Sequence, residues 1–294
     1  MLREIPLGQI SIIEPLIDGW ILRISEDETQ IPRWKEGLMK GIEAGTITIL
    51  AAFDTDDRPF GLAVFRPAQN TVTALHTSDD AWDKLFTEVF EYMKERHQLI
   101  RISGAAVPEK FYSLLMRHDF SRIDLAQMSL LSGDVERLLL DDFPEGYSIV
   151  LYNATISQSV AEMLVESYEG TSFREYFLDQ VGSVDACLQT LGKLDMNSSL
   201  SILTVGATPI GSCLVSVHRN TATVGLVAVH PEYRGQGLGR ILVTTAMKGV
   251  IETHAEVESV FLEVVEGEPA FSLYESLGFM TNSIRPLFAW TTTE

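Results

Sequence analysis

The order of predicted secondary-structure elements occurs twice along this chain of 294 residues, and this repetition restricts the fold more than any other feature. Each half contains three short strands separated by turns, followed by a helix, a strand, a second helix and closing strands. A true duplication predicts two units of the same mixed α/β architecture, because equivalent elements bury equivalent faces. Chance alternation of hairpins and helices is the alternative, since it is common in α/β proteins.

The clearest periodic signal in the first half is an amphipathic helix. Its apolar residues recur at the spacing of one helical face, and Ser78 or Asp79 is the candidate cap. These apolar residues are Trp82, Leu85, Phe86, Val89, Phe90 and Met93. The other predicted elements are strands at 48–53, 60–65, 71–76 and 99–105, a helix at 109–118 and a final strand pair reaching about residue 131.

The second half repeats this order with one insertion. Its predicted strands are 201–205, 210–217, 221–229 and 260–265, its helices are 238–253 and 269–277, and closing strands reach residue 290. The interval from Gly61 to Phe120 is 59 positions and that from Gly211 to Phe279 is 68, and the excess lies largely before the first helix. The acidic segment 138–146 is the predicted junction, which divides the chain into domains 1–142 and 143–294.

The chain is acidic, with 22 basic and 41 acidic residues and a formal net charge of −19. A polyanion repels phosphate backbones and anionic lipids, so we expect neither nucleic acid nor a membrane as a partner, and cationic or neutral partners fit better. The two cysteines, Cys187 and Cys213, cannot build a disulfide framework or a metal cluster. Without a secretory signal or a long apolar stretch, the sequence predicts a cytoplasmic protein that needs no metal. It indicates no oligomeric state.

A glycine-rich loop, residues 234–240 with the sequence Arg-Gly-Gln-Gly-Leu-Gly-Arg, follows the third strand of the second half and leads into a helix. Glycines let the backbone approach a ligand, and the free N–H groups of a first helical turn attract phosphate. Arg234 and Arg240, two of only seven basic residues after residue 142, flank the loop and favour an anionic ligand. The alternative is that the glycines only permit tight packing. The dinucleotide fingerprint does not fit, because it requires glycine where Arg240 stands.

Two motifs resemble those of the GNAT superfamily of N-acetyltransferases. Residues 234–239 resemble its Arg/Gln-x-x-Gly-x-Gly/Ala signature. Residues 269–279, Pro-Ala-Phe-Ser-Leu-Tyr-Glu-Ser-Leu-Gly-Phe, resemble its Ala-x-x-Leu-Tyr-x-x-x-Gly-Phe helix, and Leu-Glu-Val at 262–264 resembles its fifth strand. The resemblance implies an α/β fold of two tandem acetyltransferase-like domains, each a largely antiparallel, centrally split sheet flanked by helices.

The resemblance also implies that the second half binds acetyl-CoA as its cosubstrate. The splayed end of the strand before the loop would orient the acetyl carbonyl and the pantetheine amides, and the loop would hold the pyrophosphate. The family's asparagine after the fifth strand is missing, and Gly267 stands nearest to its place. The expected coenzyme-binding residues are Val227, Ala228, Val229, Arg234, Gly235, Gln236, Gly237, Leu238, Gly239, Arg240 and Gly267.

Two residues are the catalytic candidates that the resemblance implies. Tyr274 stands at the general-acid position, where a phenol can protonate a leaving thiolate, although a buried structural tyrosine is the alternative. Many relatives carry an acid on the strand before the loop, but residues 223–227 contain none. Glu263 is the best substitute as general base, and a structural role at a sheet edge is its alternative. His230 precedes a proline in a turn, so we expect it to be exposed and inert.

The first half lacks the elements that carry this chemistry. Asp79 and Asp80 stand where the glycine-rich loop should be, and two carboxylates at a helix start would repel a pyrophosphate. Leu115 stands five residues before Phe120, as Tyr274 stands five before Phe279. We therefore predict a degenerate first domain that binds no coenzyme.

The resulting hypothesis is an N-acetyltransferase that is active in its C-terminal half. It would move an acetyl group from acetyl-CoA to a primary amine, expected to be cationic, of a small molecule or a polypeptide. A non-catalytic acyl-CoA-binding or regulatory module is the alternative, and transfer to a hydroxyl or thiol is a third reading. Residues 167–176, with Phe288 and Trp290, are expected to shape the acceptor site.

Overall fold

The computed structural model describes residues 1–25, 29, 31–78, 81–139 and 144–292. Its strands are β1 (Leu2–Glu4), β2 (Thr48–Phe53), β3 (Pro59–Arg66), β4 (Thr71–Thr77), β5 (Leu99–Ser103), β6 (Ser121–Leu131), β7 (Tyr147–Leu151), β8 (Ser198–Val205), β9 (Thr208–His218), β10 (Thr221–Val229), β11 (Ser259–Val265) and β12 (Met280–Thr291). Its α-helices are α1 (Glu14–Ser25), α2 (Ile31–Glu43), α3 (Trp82–Lys94), α4 (Tyr112–Arg117), α5 (Ser132–Arg137), α6 (Ser157–Tyr168), α7 (Ser172–Tyr176), α8 (Leu178–Val181), α9 (Val184–Leu191), α10 (Leu238–Thr253) and α11 (Pro269–Ser276).

Most of the predicted elements are confirmed. Strands β2 and β10 and helix α10 begin and end at the predicted residues, because alternating apolar residues mark the strands and the glycine loop marks the helix start. The closing strand pairs are wrong, since each half ends in one long strand, β6 or β12. Asp79, Asp80 and residues 140–143 of the predicted junction lie outside the described residues.

The chain forms two compact units that differ from the two sequence halves. The first comprises Met1–Ile123 with Arg285–Glu294, and the second comprises Asp124–Ile284. The reason is strand pairing: β12 pairs with β5 in the first unit, and β6 pairs with β11 in the second. Each half therefore contributes its last strand to the other half's unit. The predicted division at residues 142 and 143 follows the sequence repeat, and it does not describe these compact units.

The first unit is a sheet of order β1-β2-β3-β4-β5-β12 with helices on both faces. Its pairs are antiparallel except for β4 and β5, which run parallel. Alternation along β3 turns Leu62 and Val64 toward the cluster that includes α1 and α2, and Ala63 and Phe65 toward the cluster that includes α3. The predicted apolar face of α3 is buried as a whole.

The second unit repeats this arrangement in the order β7-β8-β9-β10-β11-β6. Strands β10 and β11 are parallel, and the other pairs are antiparallel. Helix α10 lies against one face of the sheet, whereas α6 and α9 lie against the other. A largely antiparallel sheet flanked by helices is the predicted fold class, which is confirmed.

The sheet of the second unit splits between β10 and β11. The last residue pair between them is Val224 with Leu262, although both strands continue beyond it. One extra residue in β10 forms a β-bulge between Gly225 and Ala228, so Ala222 and Val224 belong to the α10 side while Leu226 and Ala228 belong to the α6 side. The bulge therefore turns the strand end and leaves its β11 edge unpaired, as the predicted split requires.

Candidate active site

The glycine-rich loop connects β10 to α10. Gly235 and Gly237 adopt left-handed backbone conformations with φ of 75° and 77°, which residues with side chains rarely adopt. A Cβ atom at either position would meet nothing within 4 Å, so the outer side of the loop is open. Helix α10 starts directly after the second glycine.

The amide groups of this loop have no partner in the protein. Over the described ranges, the N–H groups of residues 235–239 find no hydrogen-bond acceptor, and the first amide to find one is that of Arg240, which donates to Gly237 O at 3.1 Å. Unpaired N–H groups at a helix start carry partial positive charge and attract anions. The loop therefore has the geometry of a site for a phosphate or pyrophosphate group.

The two flanking arginines bind the protein itself. Arg234 donates through Nε to Val229 O at 2.9 Å and through Nη2 to Ser167 O. Arg240 donates through Nη1 to the backbone and side-chain oxygens of Ser276, at 3.2 and 3.0 Å. Their guanidinium groups thus hold the loop to β10, α6 and α11. Gln236 is exposed and accepts a hydrogen bond from the Tyr147 hydroxyl at 3.3 Å.

The strand end that precedes the loop is held from the α6 side. Ala228 and Val229 pair with β9, which leaves their β11 edge unpaired. The hydroxyl of Tyr168, at the end of α6, donates to Val227 O at 3.0 Å. Tyr168 is buried, which raises the pKa of its phenol, so it stays a hydrogen-bond donor. Sequence reasoning placed Tyr168 only in the broad acceptor segment and missed this contact.

Tyr274 is buried in α11, next to the core that α10 covers. Burial, followed by the neighbouring Cys213 and Tyr168, raises the pKa of the Tyr274 phenol well above its usual range. Among the described residues its hydroxyl has no hydrogen-bond partner. The Tyr274 hydroxyl is therefore not bonded to a backbone carbonyl, although its ring packs in the core against Phe279.

The two cysteines are buried thiols. Burial raises the pKa of Cys187 to about 11 and that of Cys213 to about 12. A thiol becomes a nucleophile only as the thiolate, so neither side chain is prepared to carry an acyl group at neutral pH. Across the part of the chain that the structure describes, no three His, Cys, Asp or Glu side chains converge as metal ligands.

Glu263 is the first residue of β11 beyond the last pair with β10, so it lies where the sheet begins to split. Its neighbours Leu262 and Val264 point into the core on the α10 side, and Glu263 is exposed on the opposite face. Gln127 of β6 donates through Nε2 to Glu263 Oε1 at 2.7 Å. Gln127 was not identified from the sequence, because nothing in an isolated strand indicates its partner.

The structure also describes Gly267 and His230, which follow β11 and β10. Gly267 lies in the turn after β11 with φ of 84° and open space beside it, so its backbone is accessible where the family's asparagine is missing. His230 is partly buried rather than exposed, because its Nε2 lies 2.9 Å from Glu166 Oε2 and its ring packs against Tyr233. The expectation that His230 is exposed was wrong.

The predicted acceptor segment, residues 167–176, spans the end of α6 and helix α7. Phe173 stacks between Tyr168 and Phe177, with ring centroids 5.0 and 4.4 Å apart, next to the bonded strand end. Phe288 and Trp290 were placed wrongly at the acceptor site. Both belong to the first unit, where Phe288 is fully buried and Trp290 packs against its core, because β12 pairs with β5.

The first unit has a different arrangement at the end of β4. Arg23 of α1 donates through Nη2 to Leu75 O at 2.7 Å and to Ala106 O, beyond β5, at 3.2 Å. Its guanidinium carbon also lies 5.5 Å from the centre of the Trp82 ring. A single side chain therefore bridges the end of β4 and the turn that follows β5. Leu115, the counterpart of Tyr274, is buried in the core.

Similar proteins agree with the fold and with the glycine loop. Residues 197–281 match the model of an acetyltransferase (GNAT) domain. The N-alpha-acetyltransferase 30 of Saccharomyces cerevisiae is 30% identical over 131 residues, which cover 43% of this chain and 68% of that protein.

Two solved structures share the fold along nearly the whole chain. A GCN5-related N-acetyltransferase from Sphaerobacter thermophilus has a TM-score of 0.62 at 16% identity and covers 99% of this chain and 95% of its own. A tandem GNAT protein from the clavulanic acid biosynthesis pathway has a TM-score of 0.55 at 13% identity and covers 100% and 99%. With the sequence relatives and the matching domain, these likenesses show that the chain belongs to the GNAT family of acetyltransferases.

Proposed function

We propose that the second unit transfers an acetyl group from acetyl-CoA to a primary amine, the N-terminal α-amine of a polypeptide. The observation that carries the proposal is the opening between β10 and β11, which has a row of unpaired loop amides at its mouth. Such an opening with an anion site fits a long ligand that ends in phosphates. The enzyme would work in the cytoplasm, where its two free thiols stay reduced.

The residues present fit the coenzyme at three points. The amides of residues 235–239 would hold the pyrophosphate, and Arg234 and Arg240 would keep the loop in place through their bonds to backbone oxygens. The unpaired edge of residues 227–229 would offer backbone groups to the pantetheine arm, and the open backbone at Gly267 would replace the missing asparagine. Bound acetyl-CoA supplies the acetyl group as a thioester.

Tyr274 is the proposed proton donor to the leaving sulfur. Its raised pKa keeps the phenol protonated at neutral pH, and its hydroxyl has no competing partner among the described side chains and backbone groups. The buried thiols of Cys187 and Cys213 do not favour an acyl-cysteine intermediate, because each pKa is raised. Direct transfer to the acceptor is therefore the simpler route.

Glu263 is the proposed general base. Its Oε1 accepts from Gln127, whereas Oε2 has no partner among the described residues and is free to take a proton from the amine. An α-amino group has an ordinary pKa of about 8, so the acceptor arrives partly protonated. A carboxylate can remove this proton.

The acceptor class rests on two observations. The relative in S. cerevisiae is called an N-alpha-acetyltransferase, which favours an α-amine over the side chain of a lysine. Helices α6 and α7 and the turn between them also expose the carboxylates of Glu162, Glu166, Glu169 and Glu175. Negative potential around an entrance raises the local concentration of cationic acceptors, so peptides with a positive charge near the N-terminus should be preferred.

The test is a peptide panel with acetyl-CoA, followed by release of free thiol and by the mass of the product. One set has free N-termini without lysine, and the matched set has acetylated N-termini with one lysine. We expect turnover with the first set, and none for Gly237→Asp, which puts a carboxylate beside the open amides. Coenzyme binding by the wild type without turnover on either set would contradict the proposal and support the non-catalytic module instead.

A further inference from the structure

Strand β6 belongs to the first half of the sequence, yet it lies in the second unit beside β11. In the register between these strands, Gln127 lies directly opposite Glu263. Beyond Leu262 the other neighbour of β11, strand β10, has separated. At the position of Glu263, therefore, lateral hydrogen bonding to β11 comes from β6 and no longer from β10.

A chain of two hydrogen bonds fixes the orientation of the Gln127 amide. Ser283 of β12 donates through Oγ to Gln127 Oε1 at 2.9 Å. Gln127 Nε2 in turn donates to Glu263 Oε1 at 2.7 Å. Because the serine occupies the carbonyl end of the amide, the NH₂ end must face the carboxylate.

The hydrogen bond from Gln127 also restricts Oε2, the second oxygen of the Glu263 carboxylate. An exposed glutamate samples several rotamers, and a short bond to one oxygen restricts it to those that keep this bond. Oε2 is then held in a defined direction without a partner in the described part of the chain. A base gains most when its free oxygen is already oriented toward the proton that it removes.

We propose that Gln127 is a positioning residue for Glu263, so that the first half of the sequence supplies part of the catalytic apparatus of the second unit. The inference rests on the proposed function, because it assumes that Glu263 removes the amine proton. It gives β6, the last strand of the first half, a catalytic role beyond packing.

The experiment compares Gln127→Leu with a matched control on the same strand. Leucine keeps the approximate volume of glutamine and removes both polar atoms, whereas Ser129→Ala removes a similar hydrogen bond, to Asn282, that does not involve Glu263. With the best α-amine peptide of the panel, we expect Gln127→Leu to lower kcat about 10-fold. Ser129→Ala should leave kcat within about two-fold, and Ser283→Ala should give an intermediate loss.

Two readouts separate positioning from a general structural effect. A peptide with an aminooxyacetyl terminus is neutral at pH 7 and needs no base before attack, so Gln127→Leu should slow it less than about two-fold. In a double-mutant cycle, Gln127→Leu should have no further effect in a Glu263→Gln background. The dissociation constant of acetyl-CoA, measured by calorimetry, should stay the same in every variant.

The outcomes distinguish the two proposals from each other. Equal slowing of the two peptides by Gln127→Leu, or full additivity with Glu263→Gln, would overturn the positioning role and leave the acetyltransferase proposal intact. Normal kcat in Gln127→Leu would do the same. A wild-type protein that binds acetyl-CoA but acetylates no peptide would overturn the proposed function and this role with it.

Discussion

The ends of strands β4 and β10 have the same backbone arrangement and different side chains. Both strands pair in parallel with a neighbour for only a few residues before they separate. In both, a backbone carbonyl two residues before the last strand residue accepts a bond from a helix of the same unit: Leu75 O from Arg23, and Val227 O from Tyr168. The guanidinium also reaches Ala106 O in the turn that follows β5, whereas the phenol makes a single bond.

On the proposed function, the split sheet alone does not make a coenzyme site, because both units have parallel strands that separate and only the second has the glycine loop. In the first unit, Arg23, a long cation with several donors, satisfies the carbonyls of Leu75 and Ala106. A tyrosine satisfies one carbonyl and steadies the strand end. We expect these two differences, the glycine loop and the donor at the strand end, to separate a coenzyme site from a structural repeat.

The largest expected effect is that of Tyr274→Phe. Removing one phenolic oxygen should lower kcat by about 10² to 10⁴, because the proton donor is lost, while acetyl-CoA affinity changes little. Its counterpart in the first unit gives the contrast: Leu115→Ala should cost about 2–5 kcal/mol of stability through the cavity it leaves, with kcat unchanged. Steady-state kinetics and denaturant unfolding measure the two effects. An unchanged kcat in Tyr274→Phe, with chemistry rate-limiting, would reduce this residue to a packing role.

Arg23→Met tests whether the hydrogen bonds of Arg23 close the gap between the parallel strands of the first unit. Methionine keeps the apolar stem and leaves the carbonyls of Leu75 and Ala106 without their donor, so we expect a loss of about 2 kcal/mol in the free energy of unfolding. Coenzyme stoichiometry should not change, because the glycine loop is still missing from the first unit. Binding of an additional equivalent of acetyl-CoA would show instead that Arg23 alone blocks a functional site.

Tyr168→Phe tests whether the hydrogen bond from Tyr168 to Val227 O stabilises the end of β10. The variant keeps the stacking on Phe173 and loses the bond to Val227 O, so we expect a loss of about 1 kcal/mol in stability and a fall of about 10-fold in kcat/KM. Phe173→Leu is the matched control, since it weakens the stack and keeps the hydroxyl. If only the control lowered kcat/KM, the ring and not the hydrogen bond would be the functional part.

His76 gives the smallest effect, and it concerns pH. Burial, followed by the charge of Arg23, lowers the pKa of His76 to about 4, whereas an unfolded histidine titrates at about 6.5. The unfolded chain therefore binds the proton first, and stability is lost as the pH falls from about 6.5 toward 4. His76→Leu should reduce this loss in unfolding experiments across that range. An identical pH dependence in both proteins would show that His76 is not protonated on unfolding.

Much of the fold could be predicted from periodicity, because alternation and glycine positions are local signals. The ends of β10 and α10 follow from the apolar strand and the loop that separates them. Strand exchange could not be predicted in this way. The pattern of β6 shows that it is a strand, but its pairing with β11 depends on residues more than a hundred positions away.

Prediction of the candidate site from the sequence has the same limit, because local signals do not reveal distant partners. Tyr274 and Glu263 were identified through the motif that each belongs to, and they lie on α11 and β11. Tyr168 and Gln127 were missed because each acts through one bond to a group 59 or 136 positions away. The arginines of the loop were found, but charge alone could not tell that their partners are carbonyl oxygens of the protein.

Calorimetry with acetyl-CoA tests the central claim, that only one of the two split sheets is a coenzyme site, most directly. We expect one equivalent bound per chain by the wild type and no detectable binding by Gly237→Asp, in which a side chain occupies the open side of the loop. Two equivalents per wild-type chain, or equal affinity in Gly237→Asp, would contradict it.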